Sequence, residues 1–425
     1  IFSLLRLSHE ILIYVMLLGV LWVRLLKYKG LRKTPLDIPL LIFLLSTFIS
    51  VAIFRAPWLD SLVSVRLLLR YVAVYYIVIN LSISEIWIKR FLYCIVVIGF
   101  FQGLLSVIQY FAPQQFNDLF LPRDSEVEIV GRTDSYIALS DLGLKEGSVI
   151  GTFGVPASLS SFLLVALITS SVFLSIFGWK KWGIRQQIIY FAGSLLMVFG
   201  VFASYKRAAL LIAILIPLVV FLKLRKNKSL FTIVLIYGLF VFLGWGALNS
   251  DFELETFQSR EARTENVGLV SYFGNVFTSE YWTRSASNSR GWFIVNVGRF
   301  LLNPFVITNW IGYTPNDDTA RWNVIALQPQ LKRLEDYEAS KDVFWLSMLL
   351  NYGIIGLTMW LWFFLILSRY ANFLIALNTS YMIKSLGVIF STALFVAIFY
   401  GFIERIFFLR GFAFYFWLLA GLVVQ

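Results

Sequence analysis

The chain has 425 residues, of which 59% are hydrophobic, 18% aromatic and only 14% charged, with a formal net charge of +12. A soluble chain carries nearer a quarter charged residues, so the mean hydropathy of +0.79 excludes water as the main solvent and predicts a polytopic membrane protein. One cysteine, Cys94, and one histidine, His9, exclude an internal disulfide, a thiolate zinc site, a histidine metal cluster and any Ser-His-Asp or Cys-His dyad away from the N-terminus.

A bilayer core of ~30 Å needs about 20 apolar residues per helix. Runs of that kind fall at 10–26, 37–54, 66–84, 90–111, 152–177, 186–204, 207–222, 229–248, 342–367, 382–403 and 410–424, about eleven spans. The first run has no small-residue cleavage site and reads as a span, not a signal peptide. Strand alternation is absent from these runs, so the expected fold is all-α. Three regions follow: a bundle over 1–248 with a loop at 112–150, a large loop at 249–341, and a second bundle part over 342–425.

Basic residues order the topology. Arg24, Lys27, Lys29, Arg32 and Lys33 stand in the first loop, Lys89 and Arg90 two spans on, then Lys180, Lys181 and Arg185, then Lys223, Arg225, Lys226 and Lys228, and finally Arg369 and Lys384. They alternate onto one side, which the positive-inside rule makes the cytoplasm. The net charge therefore reads as contact with anionic lipid, not nucleic acid. Ile1 then faces outward, and one helix upstream would restore a cytoplasmic N-terminus and bring the total to about twelve. The loop at 112–150, acidic through Asp118, Asp124, Glu126, Glu128, Asp134, Asp141 and Glu146, and the large loop at 249–341 both face outward. A segment as long as the second carries function or helices of its own.

The cations that break this rule are the informative ones. Lys206 and Arg207 occupy a tight outward hairpin; Arg66 and Arg70 lie at the outer end of another span, with Arg70 inside its apolar run; Arg405 and Arg410 flank the last outward turn beside Glu404. A charge at a helix centre costs about 2.5–3.5 kcal/mol on insertion scales and usually lines a polar cavity. Snorkelling explains Arg66 and Arg410 equally well, and Glu404 with Arg405 reads as a structural ion pair. An outward set of arginines suits a phosphate, whose oxygens match the guanidinium fork two at a time. Lipid-linked pyrophosphate is the natural anion at this depth.

Four segments carry a resemblance: GTFGVPASLSSFLL at 151–164, SYKRAALL at 204–211, NSRGWFI at 288–294 and DVFWLSMLLNYGIIGL at 342–357. Taken in order, the chain resembles the O-antigen polymerase and O-antigen ligase family, polytopic GT-C type glycosyltransferases with a large late periplasmic loop. Gly353 and Gly356 fit the last motif, whose spacing puts Asp342 where the family has a histidine and Val343 where it has a polar residue.

The resemblance implies transfer of a saccharide from undecaprenyl pyrophosphate to a hydroxyl of an acceptor glycan, outside the cytoplasm of a bacterium, with no cofactor and no metal. It implies Arg207 and Arg290 as the arginine clamp, with Asp342 at the acceptor. Lys206, Arg70, Arg299 and Glu338 are further substrate-binding candidates, and Glu335 and Asp336 stand in reserve. Asp342 reads equally as an N-cap of the span that follows. Trp292 and Tyr313 belong to a set of loop aromatics that suit a sugar-binding wall or a membrane-interface belt. Asp317 and Asp318, after Gly312, read as a turn. Polymerisation of repeat units is the leading expectation, with a chain-length regulator as a possible partner. A ligase moving a finished glycan to lipid A-core or protein is the alternative. A transporter of lipid-linked oligosaccharide is the rival from another class, disfavoured because the two halves show no mutual similarity.

Overall fold

The computed structural model describes residues 2–28, 30–112, 149–153, 155–178, 183–204, 206–224, 298–327, 343–377 and 380–425, with the side chains of 2–9, 28 and 207 outside that description. Every regular element among them is helical and none is a strand. The longer helices are α1 (Phe2–Tyr28), α2 (Asp37–Ile53), α3 (Trp58–Leu69), α4 (Val72–Asn80), α5 (Glu85–Phe111), α6 (Pro156–Phe173), α7 (Ile184–Ala203), α8 (Arg207–Leu224), α9 (Asp317–Leu327), α10 (Phe344–Ala376), α11 (Tyr381–Tyr400) and α12 (Arg410–Val424).

Among the described residues, five helices are long and apolar enough to cross a membrane: α5, α6 with the π-turn that extends it, α7, α10 and α11. Joined as one span, α3 and α4 make a sixth, bent by 53°. The apolar helices α2, α8 and α12 are shorter. Helices overlie ten of the eleven expected runs; the eleventh, 229–248, lies outside the described residues. The single run expected at 66–84 is instead two helices, because the chain breaks at Arg70 and Tyr71.

Helix α6 is the axis of the bundle. It packs against α5, α7, α8, α11 and α12, and 94% of its apolar window is buried. A helix that is apolar all round belongs in such a place. Small residues let its neighbours approach: Gly99 of α5 sits against Ala166, and Ser170 shares a 2.8 Å hydrogen bond with Ser194 of α7.

The two ends of the bundle differ in their polar chemistry. At one end, Arg24 Nε donates to the Asn80 carbonyl (2.8 Å) and Arg32 Nη1 to the Ile79 carbonyl (3.1 Å), so two guanidinium groups close the C-terminus of α4. Cations at a helix C-terminus complement its dipole. At the other end lie the 401–409 connection between α11 and α12, the start of α8, and the segment 298–327.

That segment docks through its own small core. Leu301, Tyr313, Ala320 and Val324 pack on Val343, Leu346, Leu349 and Leu350 at the start of α10. The docking depends on two glycines. Gly353 interrupts α10 with φ 68° and ψ −169°, a conformation essentially reserved for glycine. Gly312, at φ 77°, lies directly against it. Tyr313 N donates to Leu350 O across this contact (2.9 Å), and Ser50 Oγ of α2 donates to Gly312 O (3.0 Å).

Candidate functional site

The 401–409 connection collects charges from remote parts of the chain. It is a tight turn after α11, followed by a 3-10 turn over Ile406–Phe408. Lys206 Nζ, at the start of α8, donates to Glu404 Oε1 at 2.9 Å. The Arg405 guanidinium grips Asp317 at two oxygens, Nη1 to Oδ2 at 2.6 Å and Nη2 to Oδ1 at 3.2 Å. Its Nη2 also donates to Ser347 Oγ of α10 at 2.9 Å, and its Cζ lies 4.1 Å from the Phe408 ring centre. Asn351 of α10 donates to Asp317 Oδ1 as well. Each pair is partly buried: Arg405 and Asp317 keep 17% and 21% of their side-chain surface, Lys206 and Glu404 33% and 17%.

Below this layer, Arg70 Nη2 donates to the Phe408 carbonyl and Nη1 to Glu10 Oε1, both at 3.0 Å. Arg66 reaches the other Glu10 oxygen at 3.3 Å. Arg70 and Glu10 retain only 6% and 5% exposure. The bend between α3 and α4 thus has a physical cause: it delivers Arg70 to a carboxylate from α1 and a carbonyl of the connection.

Helix N-termini add to the positive field. Arg207 opens α8, and Lys206 O accepts from Leu210 N in its first turn (3.1 Å). Arg410 opens α12. Gly411 lies so close to the Ser158 carbonyl of α6 that a side chain would collide with it, so the starts of α6 and α12 stand side by side. Partial positive charge at such termini favours an anion.

Several expectations are corrected. Glu404 and Arg405 are not a pair with each other; each binds a partner far away in sequence. Asp317 is not a turn residue but the first residue of α9, fixed to Arg405. Arg66 does not merely snorkel, since it pairs with Glu10. Tyr313 is fully buried, with its hydroxyl donating to Asn309 Oδ1 (2.7 Å) and accepting from Thr308 (3.0 Å), so its ring packs within the small core. Burial pushes its phenol above the usual tyrosine range. The N-cap position of α10 is held by Val343, one residue beyond the Asp342 expected to cap it.

Of the sequence-level candidates, Lys206 and Arg70 meet at the connection through Glu404 and Phe408. Arg299 is exposed on a single turn at Gly298–Leu301. Arg207 is described in its backbone alone. Arg290, Trp292, Glu338, Asp342 and the reserve pair Glu335 and Asp336 lie outside the described residues.

Sequence reasoning missed Glu10, although a lone acid inside an apolar run is a signal in itself. It also missed Gln102 and Gln109 of α5. Their Oε1 atoms accept from Thr152 N (3.2 Å), and from Ile150 N (2.9 Å) and Gly151 N (3.0 Å), and so hold the turn that leads into α6. Among the described residues no three His, Cys, Asp or Glu side chains converge as metal ligands would. Compared with models of protein families and with curated protein sequences, the chain matches none.

Proposed function

We propose that the chain is a membrane glycosyltransferase that polymerises undecaprenyl-pyrophosphate-linked oligosaccharide repeat units at the outer face of a bacterial cytoplasmic membrane. The observation that carries this reading is the charged layer at the 401–409 connection, where Lys206, Arg405 and Arg70, each with a carboxylate partner, gather beside Arg207 and Arg410, the first residues of α8 and α12. Side chains this basic, within an apolar bundle, suit an anion that is itself anchored in lipid. Phosphate oxygens match the arginine fork, and a lipid-linked pyrophosphate offers both the charge and the tail.

In the proposed reaction the acceptor hydroxyl oxygen forms a bond to the anomeric carbon while the bond from that carbon to the pyrophosphate oxygen breaks. The hydroxyl proton passes to a carboxylate or to water, and undecaprenyl pyrophosphate leaves with the electron pair. Positive groups aimed at the departing oxygens stabilise the charge that builds there. Arg207 and Arg290 are the residues proposed for that work, with Asp342 as the acceptor-side carboxylate. Lys206 and Arg405 stand second in line, because an anion would have to share them with Glu404 and Asp317.

The test uses purified protein reconstituted in lipid and supplied only with undecaprenyl-pyrophosphate repeat units. A ladder of products on a gel that resolves chain length is expected. Arg207→Ala should reduce the ladder about 10²–10³-fold, the usual loss for one donor to a developing oxyanion. An unchanged single band would count against polymerisation, and movement of that substrate across the bilayer without transfer would replace the proposal with a transporter.

A further inference from the structure

At the end of the bundle opposite the 401–409 connection, a groove of about 820 Å³ opens between α1, α4, α5 and α12. Its walls are apolar through Val20, Val78, Phe91 and Leu418, and its polar groups are gathered at the α4 terminus: Arg24, Asn80 and Ser82. Arg32 reinforces that rim by donating to Ser82 Oγ at 3.1 Å. Farther out, Trp87 lines the groove and carries the Arg90 guanidinium 4.8 Å over its ring.

Gly19 also lines the groove, in the middle of α1. Glycine inside a helix is unfavourable relative to alanine, and no close neighbour among the described residues requires it here: a Cβ would meet no atom within 4 Å. The position faces open space and not a close neighbour helix. A missing side chain there deepens the groove. From Met16 to Arg24, both groove residues, a helix rises about 12 Å, close to the depth of one leaflet's hydrocarbon, about 15 Å.

We propose that this groove is a binding site for an anionic phospholipid, with one acyl chain laid over Gly19 and the phosphate at the rim made by Arg24, Arg32 and Ser82. The apolar walls match the chain, and the cationic rim matches the charge of the headgroup. This site is independent of the glycosyltransferase reading.

The full chain, reconstituted in mixed phosphatidylglycerol and phosphatidylcholine and then extracted, is assayed for retained lipid by native mass spectrometry. Wild type is expected to retain phosphatidylglycerol over phosphatidylcholine by about fivefold for each basic residue engaged. Gly19→Ala leaves the groove open and should match wild type. Gly19→Trp fills it and should lose the retained lipid. Arg24→Gln should keep a bound lipid but lower the preference for the anionic one about fivefold. Equal retention of both lipids by wild type, or undiminished retention by Gly19→Trp, overturns the proposal; the second result would follow if another helix covers the groove.

Discussion

Replacing Gly353 by alanine tests whether the contact of two glycines holds the segment 298–327 on the bundle. The backbone at Gly353 has φ 68° and ψ −169°, and holding a non-glycine residue there costs about 1–3 kcal/mol. The added Cβ would collide with the backbone of the docked segment: Gly312 N, Asn309 O at 2.6 Å and Trp310 C at 2.6 Å. None of these is the end of a flexible side chain, so relief requires the segment to move, and overpacking of this kind costs a further ~1–3 kcal/mol. The combined loss is about 4 kcal/mol, taking the middle of both ranges. At about 2 °C per kcal/mol, as for larger domains, the unfolding midpoint falls by about 8 °C. The assay is a thermal melt of the detergent-solubilised chain followed by its tryptophan fluorescence. Gly19→Ala is the matched control, because its Cβ meets nothing and helix propensity favours the change. A Gly353→Ala chain that melts with wild type would refute the reasoning, and so would one no worse than Gly19→Ala.

Three other predictions rest on the charged layers and on the small core. Asp317→Asn removes the bidentate partner of Arg405 and should cost about 2 kcal/mol, between the values for exposed and buried pairs; a double-mutant cycle with Arg405→Gln should show coupling, and strict additivity would sink the assignment. Glu10→Gln strands Arg70, which is only 6% exposed, and should cost about 3–5 kcal/mol. The double change Glu10→Leu with Arg70→Met should melt nearer to wild type than Glu10→Gln does. Tyr313→Phe loses the hydroxyl's bond to Asn309 and should cost about 1 kcal/mol without altering product length in the polymerisation assay, whereas a shortened ladder would return Tyr313 to the sugar-binding surface.

Composition and apolar run length were enough to predict the helices seen among the described residues, several of them apolar and long enough for a membrane, because lipid leaves the backbone no other partner than itself. They located the helices now seen as α2, α5, α7, α11 and α12 to within a few residues. The sequence also flagged Lys206 and Arg70 as misplaced charges, since an ion within or beside an apolar run needs a reason wherever it sits. What it could not supply was the partner. Glu404 and Arg405 are neighbours in the chain, and proximity in sequence paired them; in three dimensions the turn points one at Lys206 and the other at Asp317. Asp317 looked like a turn residue because it follows Gly312, and only the docking of α9 on α10 makes it a partly buried anchor for an arginine. The bend after Leu69 was invisible for the same reason, as nothing in an apolar run announces that a carboxylate from α1 and a carbonyl from 408 await Arg70. Hydropathy is a property of each residue and can be read along the chain. A salt bridge, a glycine contact or a groove is a property of two or more segments at once, and those were decided by packing.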